Sequence, residues 1–288
     1  MTPDLIAYDM VKRGKLTESL EYLDDAIDKS IGDLLKLYEN RAYVYINLGD
    51  NEKAIKDYNR ALEIEPKSTY SLYNRALINF SAGKSNEALT DFTLISETNL
   101  LKDGYWTLGK DIFIKTKNYE RALYFIERLC SFDKENYNYT YNKAWCLSKL
   151  MRYKESIQTY QSLIDKTYYQ HIIFNNLGFL YVLDGQYDLA KSYLQKGLEL
   201  MPGYAYLNSN ISIVYFAKGD IDKAMQHIEI SLTEGPSNPL AYYLRAKYLG
   251  ATGKKEEAQK DIHMAEKFGL NEDLVVEKAI LEKTLFIT

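Results

Sequence analysis

The amino-acid sequence predicts an all-α solenoid of antiparallel helix pairs, and three columns of residues carry that prediction. Small residues stand 34 apart at Ala54, Ala88, Ala122, Ser156, Ala190, Ala224 and Ala258. Four residues after each comes a large one, Tyr58, Phe92, Ile126, Tyr160, Leu194, Ile228 and Ile262, a spacing that places both on one helix face. Glycine keeps the same clock at Gly49, Gly83, Gly185, Gly219 and Gly253, with Lys117 and Met151 at the two missed beats.

Each unit therefore reads as a helix of about three to four turns, a tight turn at the glycine, and a second helix running back. A second small column (Ala42, Ala76, Ala144, Gly178, Ser212 and Ala246) precedes the turn. Small residues on both helices let the two backbones approach, and the large residues then reach towards the next unit. No unit buries its own apolar face, so only stacking makes a core. Proline closes three units, at Pro66, Pro202 and Pro236.

Taken in order, the units are 35–68, 69–102, 103–136, 137–170, 171–204, 205–238 and 239–272, preceded by a unit at 1–33. That first unit is one residue out of step, its best matches being Ala7, Met10, Gly14, Ser19, Leu23 and Ala26. Unit 103–136 carries Lys110 where a small residue belongs, while Leu108-Gly109 fits if the helix shifts by one residue and its turn lengthens. A kink or irregular stacking is expected there. Residues 273–288 read as a final helix capping the open end, with an apolar Leu285-Phe286-Ile287 tail.

The pattern resembles the tetratricopeptide repeat. Its clearest copy runs Phe174-x2-Leu177-Gly178-x2-Tyr181, then Gly185-x-Tyr187-x2-Ala190, then Leu194, Gly197 and Pro202. The resemblance extends over eight repeats and implies a right-handed superhelix whose first helices line a concave groove. It also implies that a fixed set of first-helix positions points into that groove. At one of them the chain reads Leu5, Asn40, Asn74, Leu108, Asn142, Asn176, Asn210 and Leu244. Asparagine costs up to about 0.7 kcal/mol against alanine inside a helix, so the column calls for a reason. Two are open: a ladder of carboxamides gripping the backbone of an extended peptide, or hydrogen bonds to a neighbouring helix or to water. At about 0.5 to 1.5 kcal/mol per bond, five asparagines fall short of the roughly 8 kcal/mol of a micromolar complex. Side-chain pockets must supply the rest, and the aromatics at the other groove positions are Tyr43, Tyr73, Tyr141, Trp145, Phe179, Tyr206 and Tyr243. Such rings are favoured binding anchors.

Charged groove candidates are mixed, Lys12, Lys36, Lys115, Lys149 and Lys247 against Asp4, Glu39 and Asp111, with a slight lean towards acidic ligands. The lysine and asparagine set with which the family's chaperone-binding members hold a terminal carboxylate is complete in no unit.

Composition argues against other classes. Lys plus Arg is 36 against 40 Asp plus Glu, a net charge of −4, which disfavours nucleic acid as partner. Cys130 and Cys146 form no disulfide framework, and neither they nor His171, His227 and His263 have metal-ligand spacing. Phosphate-loop, dinucleotide, hydrolase and zinc-protease strings are absent. The expectation is a non-catalytic, cytoplasmic protein with no cofactor, no metal and no membrane insertion, binding a protein or peptide ligand. The alternatives are a scaffold that self-assembles into a homo-oligomer through its ends or convex face, and a regulatory subunit of an enzyme complex.

Overall fold

The computed structural model describes residues 2–95 and 103–270, and within them the chain is α-helical. Sixteen helices are described: α1 (Pro3–Lys12), α2 (Leu16–Asp28), α3 (Leu34–Asn47), α4 (Asn51–Ile64), α5 (Thr69–Ser81), α6 (Ser85–Thr93), α7 (Asp103–Lys115), α8 (Tyr119–Phe132), α9 (Tyr137–Lys149), α10 (Tyr153–Gln161), α11 (Gln170–Leu183), α12 (Tyr187–Leu200), α13 (Ala205–Ala217), α14 (Ile221–Glu234), α15 (Pro239–Ala251) and α16 (Lys255–Lys267). They pair in sequence, α1 with α2 through α15 with α16, and successive pairs pack on one another from α1 to α8 and from α9 to α16. The chain divides into two compact units, Met1–Asp133 with α1 to α8 and Lys134–Thr288 with α9 to α16.

The tight turns explain the glycine column. After α3, the Gly49 amide donates to the Ile46 carbonyl (3.0 Å) and the Asp50 amide to that of Tyr45 (2.9 Å), closing the helix with Gly49 at φ +79°. Asp50 then caps α4, its carboxylate accepting from the Lys53 amide at 3.1 Å. One residue thus ends one helix and starts the next. Lys117 and Met151 adopt the same left-handed geometry at φ +59° and +58°, at a cost of about 1 kcal/mol each against glycine.

Close backbone approach explains the small columns. Ala54, Ala88, Ala122, Ala190 and Ala224 have no exposed surface, and Ser156 is equally buried because its hydroxyl donates to the Ala144 carbonyl at 2.7 Å. Ser19 does the same to Ala7 at 3.2 Å. At Gly178 a Cβ would lie 2.4 Å from Leu194 Cγ, so no larger residue fits between α11 and α12.

A second periodic device joins the helices of three pairs. Arg41 meets Asp57 through two parallel hydrogen bonds of 2.8 and 2.7 Å, and its remaining arm reaches Asp24 at 2.7 Å. Arg75 grips Asp91, and Arg245 grips Asp261 and Glu229, in the same way. The three aspartates are buried, so removing one partner costs about 3 kcal/mol or more.

The expected irregularity at unit 103–136 takes a different form. The inner face does move by one residue: Gly109 is buried, and a Cβ there would meet Phe125 at 2.4 Å and Phe92 at 2.7 Å. The turn, however, is not lengthened. Residues 116–118 join α7 to α8 just as 82–84 join α5 to α6, three residues in each case. Rings supply the reason, because Phe92, Tyr105, Phe113 and Phe125 cluster with centroids 4.8 to 6.0 Å apart and occupy the space that an ordinary small-residue contact leaves closed. Lys110 stays partly buried and pairs with Asp111 at 2.7 Å. The expected capping helix at 273–288 and its apolar tail lie outside the described residues.

Candidate functional site

In the unit Met1–Asp133 the side chains of the expected ladder bond within the chain. Asn40 donates to the Asp4 carbonyl on α1 at 3.0 Å, tying α3 to the preceding pair, and Asn74 donates to Tyr70 within its own helix at 2.8 Å. Glu39 is buried and satisfied by Ser68, Ser71 and Lys36. Tyr43 is exposed, whereas the Tyr73 hydroxyl lies against Gly104.

In the unit Lys134–Thr288 the column forms a relay across three first helices. Asn210 on α13 donates to Asn175 on α11 (2.9 Å), Asn175 to Asn176 (a longer 3.4 Å), and Asn176 to the Tyr141 hydroxyl on α9 (3.2 Å). Asn210 is only 4% exposed, and its carboxamide oxygen is buried without a partner among the described residues. This asparagine belongs to the interior rather than to a ligand-facing surface. Asn142, by contrast, is partly exposed, and its side chain makes no hydrogen bond among the described residues. Asn175 escaped the sequence reading; the signal for it was its adjacency to Asn176.

The aromatic candidates separate in the same way. Tyr243 is 1% exposed within the core, so it cannot meet a ligand. Tyr206 is exposed and packs against Tyr204 with centroids 5.8 Å apart. Trp145 and Phe179 come together around a cavity of about 120 Å3, which Asn176, Tyr160, Leu180 and Leu183 also line. Lys149 stands at this cavity with its ammonium 5.6 Å from the Trp145 ring centre.

Tyr160 was read from the sequence as core alone. It is 1% exposed, yet its ring meets Tyr141 edge-on at 5.5 Å and it floors this cavity. Burial raises its phenol well above the usual range, so it stays a neutral hydrogen-bonding group. Tyr141 lines a second cavity of about 240 Å3 with Tyr137, Leu163, Tyr169 and Ile172. Chemically the region offers rings, amides and hydroxyls with one cation, a recognition surface rather than an acid–base or nucleophilic centre. Among the described residues no cluster of three His, Cys, Asp or Glu could hold a metal ion, and no helix is long and apolar enough to cross a membrane.

Comparison with known proteins places these features in a family. Tetratricopeptide repeat profiles match residues 35–68 and 181–248. Protein O-mannosyl-transferase TMTC3 of Homo sapiens is 25% identical over 219 residues, 73% of this chain and 23% of the relative. The antiviral innate immune response effector IFIT1 of Macaca fascicularis is 24% identical over 263 residues, 80% of this chain and 53% of the relative. The chain thus spans between about a quarter and a half of the length of these relatives. Among solved structures, the human IFIT1 dimer with PPP-AAAA superposes with a TM-score of 0.50 at 15% identity, covering 96% of this chain and 70% of that one. At that identity the likeness concerns the fold alone. Two profile matches on a tandem array of helix pairs make the chain a tetratricopeptide-repeat protein.

Proposed function

We propose that this protein is a non-catalytic, cytoplasmic interaction module that holds an extended segment of a partner protein along the first helices of its second unit. The tetratricopeptide fold supports the coarser statement, a protein–protein interaction or scaffold module. The observation that carries the finer one is the cavity between α9 and α11, where Trp145 and Phe179 face a shared space with an amide and a phenol at its floor. Aromatic anchors in preformed pockets dominate protein-binding energy. In this reading Asn142 contacts the partner's backbone, while Asn176 and Asn210 hold the pocket walls in register.

The test is partner capture from native lysate by the wild-type chain, a Trp145→Ser/Phe179→Ser variant and a Tyr168→Ser control. Tyr168 lies outside the pocket and is fully exposed. Helicity of all three is matched by circular dichroism. Loss of a partner by the pocket variant alone supports the proposal. Equal capture by all three refutes it and moves the search to the helix ends and the outer faces.

A further inference from the structure

The connector between α10 and α11 departs from those that follow it. It spans residues 162–169, eight in all, whereas 201–204 and 235–238 join the next pairs with four each. The extra length comes out of α10, which ends after nine residues where α12 and α14 run for fourteen. Asp165 makes the reversal in the left-handed region, at φ +67°. This connector sets a knob beside a hole. Thr167 and Tyr169 line the cavity of about 240 Å3 together with Asn138, Leu163 and Ile173. Tyr168, between the two lining residues, is fully exposed and makes no hydrogen bond or ring contact among the described residues. A single exposed ring is ordinary; its place beside a cavity of matching chemistry is not.

The match is one of polarity, size and charge. A phenol needs an apolar bed for its ring and a polar partner for its hydroxyl. Buried Leu163 and Ile173 supply the first, and the exposed Asn138 carboxamide, which makes no hydrogen bond among the described residues, supplies the second. No charged residue lines the cavity, and its volume exceeds the ~150 Å3 that holds a benzene ring. Beside the knob, Asp165 and Lys166 are exposed, and neither has an ion-pair partner among the described residues; Asp165 accepts one long hydrogen bond from the Gln170 amide, at 3.4 Å. Adjacent opposite charges are self-complementary about a twofold axis, where residue i of one copy meets j of the other and j meets i.

We infer that two copies of this chain associate about a twofold axis through residues 162–169, each placing Tyr168 in the other's cavity, with Asp165 of each facing Lys166 of the other. A second copy is the occupant because one short segment supplies both halves of every contact: the ring and the walls that receive it, the acid and the base. Each tyrosine knob buries about 150 to 250 Å2, and two knobs with their receiving walls amount to less than the ~1,200 Å2 of a standard complex. The dimer is therefore weak, with a Kd on the order of 0.1 mM. This inference goes beyond the proposed function and does not rest on it, since it uses the other cavity.

The test is sedimentation equilibrium of the full-length chain from about 10 μM to about 1 mM, a range that brackets the expected Kd. Wild type is expected to pass from monomer to dimer, and Tyr168→Ser to remain monomeric throughout. Asp165→Lys and Lys166→Asp each set like charges opposite one another and are expected to weaken association about tenfold. Lysine is tolerated in this backbone geometry, as Lys117 shows at φ +59°. An equimolar mixture of the two charge variants is expected to regain the wild-type dimer, because opposite charges then meet at both places; a folding defect is not repaired by mixing. A wild-type chain that stays monomeric at about 1 mM, a dimer that Tyr168→Ser leaves intact, or a mixture no stronger than its components overturns the inference. Capture by the Trp145 cavity does not require the dimer, so Tyr168→Ser losing the dimer while keeping its lysate partner is the expected joint result, and either reading can fail without the other.

Discussion

The same substitution at two glycines should have opposite effects, and the structure gives the size of each. Gly178→Ala places a methyl 2.4 Å from Leu194 Cγ and 2.6 Å from its Cδ2. An ordinary carbon contact is about 3.5 to 4 Å, so α11 and α12 must part by roughly 1 Å or Leu194 must leave its rotamer. Leu194 is fully buried, which leaves it nowhere to go. Overpacking of this kind costs about 1 to 3 kcal/mol, and occasionally more. Replacing a helical glycine by alanine returns about 1 kcal/mol, which leaves a net loss of up to about 2 kcal/mol. Gly250→Ala sits near the end of α15 with nothing within 4 Å of the new methyl, so only the propensity gain of up to about 1 kcal/mol applies. Repeat arrays open locally and seldom unfold in one step. The suitable assay is therefore native-state hydrogen exchange, read on the amides of α11–α12 and of α15–α16 in each variant. The expected result is faster exchange in α11–α12 for Gly178→Ala and slower exchange in α15–α16 for Gly250→Ala. A gain of protection at Gly178→Ala would refute the close-approach argument for the whole small column.

Two further outcomes follow from single residues. Met151→Gly relieves a left-handed backbone at φ +58° and should stabilise the α9–α10 turn by about 0.5 to 1 kcal/mol, raising the midpoint of urea unfolding. His227 is half buried, stacked on Tyr215 at 5.4 Å, with Nδ1 2.9 Å from the Asn208 carboxamide oxygen. Burial lowers its pKa below the ordinary 6.5. Above about pH 6.5 the ring is neutral in both folded and unfolded chains and costs nothing. As pH falls below that value the unfolded chain takes up the proton first, so stability declines until the folded pKa is passed. Thermal melts at about pH 7 and pH 5.5 should show a smaller acid-side drop for His227→Gln than for wild type; an equal drop would contradict the assignment.

Fold and site differ in how far they could be read from residue order. The 34-residue columns, the turns at Gly49 and Gly185 and the helix pairing were all visible, because each rests on local spacing repeated many times. The Arg41–Asp57, Arg75–Asp91 and Arg245–Asp261 clamps kept the same clock and could have been read there too. What chain order could not supply was rotation about each helix axis. Whether a first-helix residue faces solvent or its neighbour depends on a turn of tens of degrees, which packing of the adjacent pair decides. Tyr243 and Asn210 went to the interior, and Asn142, at the same repeat position as Asn210, did not. At Lys110 the chain order signalled a departure but not its form, since four rings from three helices had to meet before Gly109 could become the contact.

The sequence by itself determined that the chain is a stack of helix pairs, because a repeated apolar face has only its neighbour to bury against. The tertiary structure alone decided that Tyr141, Tyr160 and Asn176, from three different helices, form a divider between two cavities, and that Lys149 stands over Trp145. Those relations depend on distances between residues far apart in the chain, which periodicity along one helix does not encode.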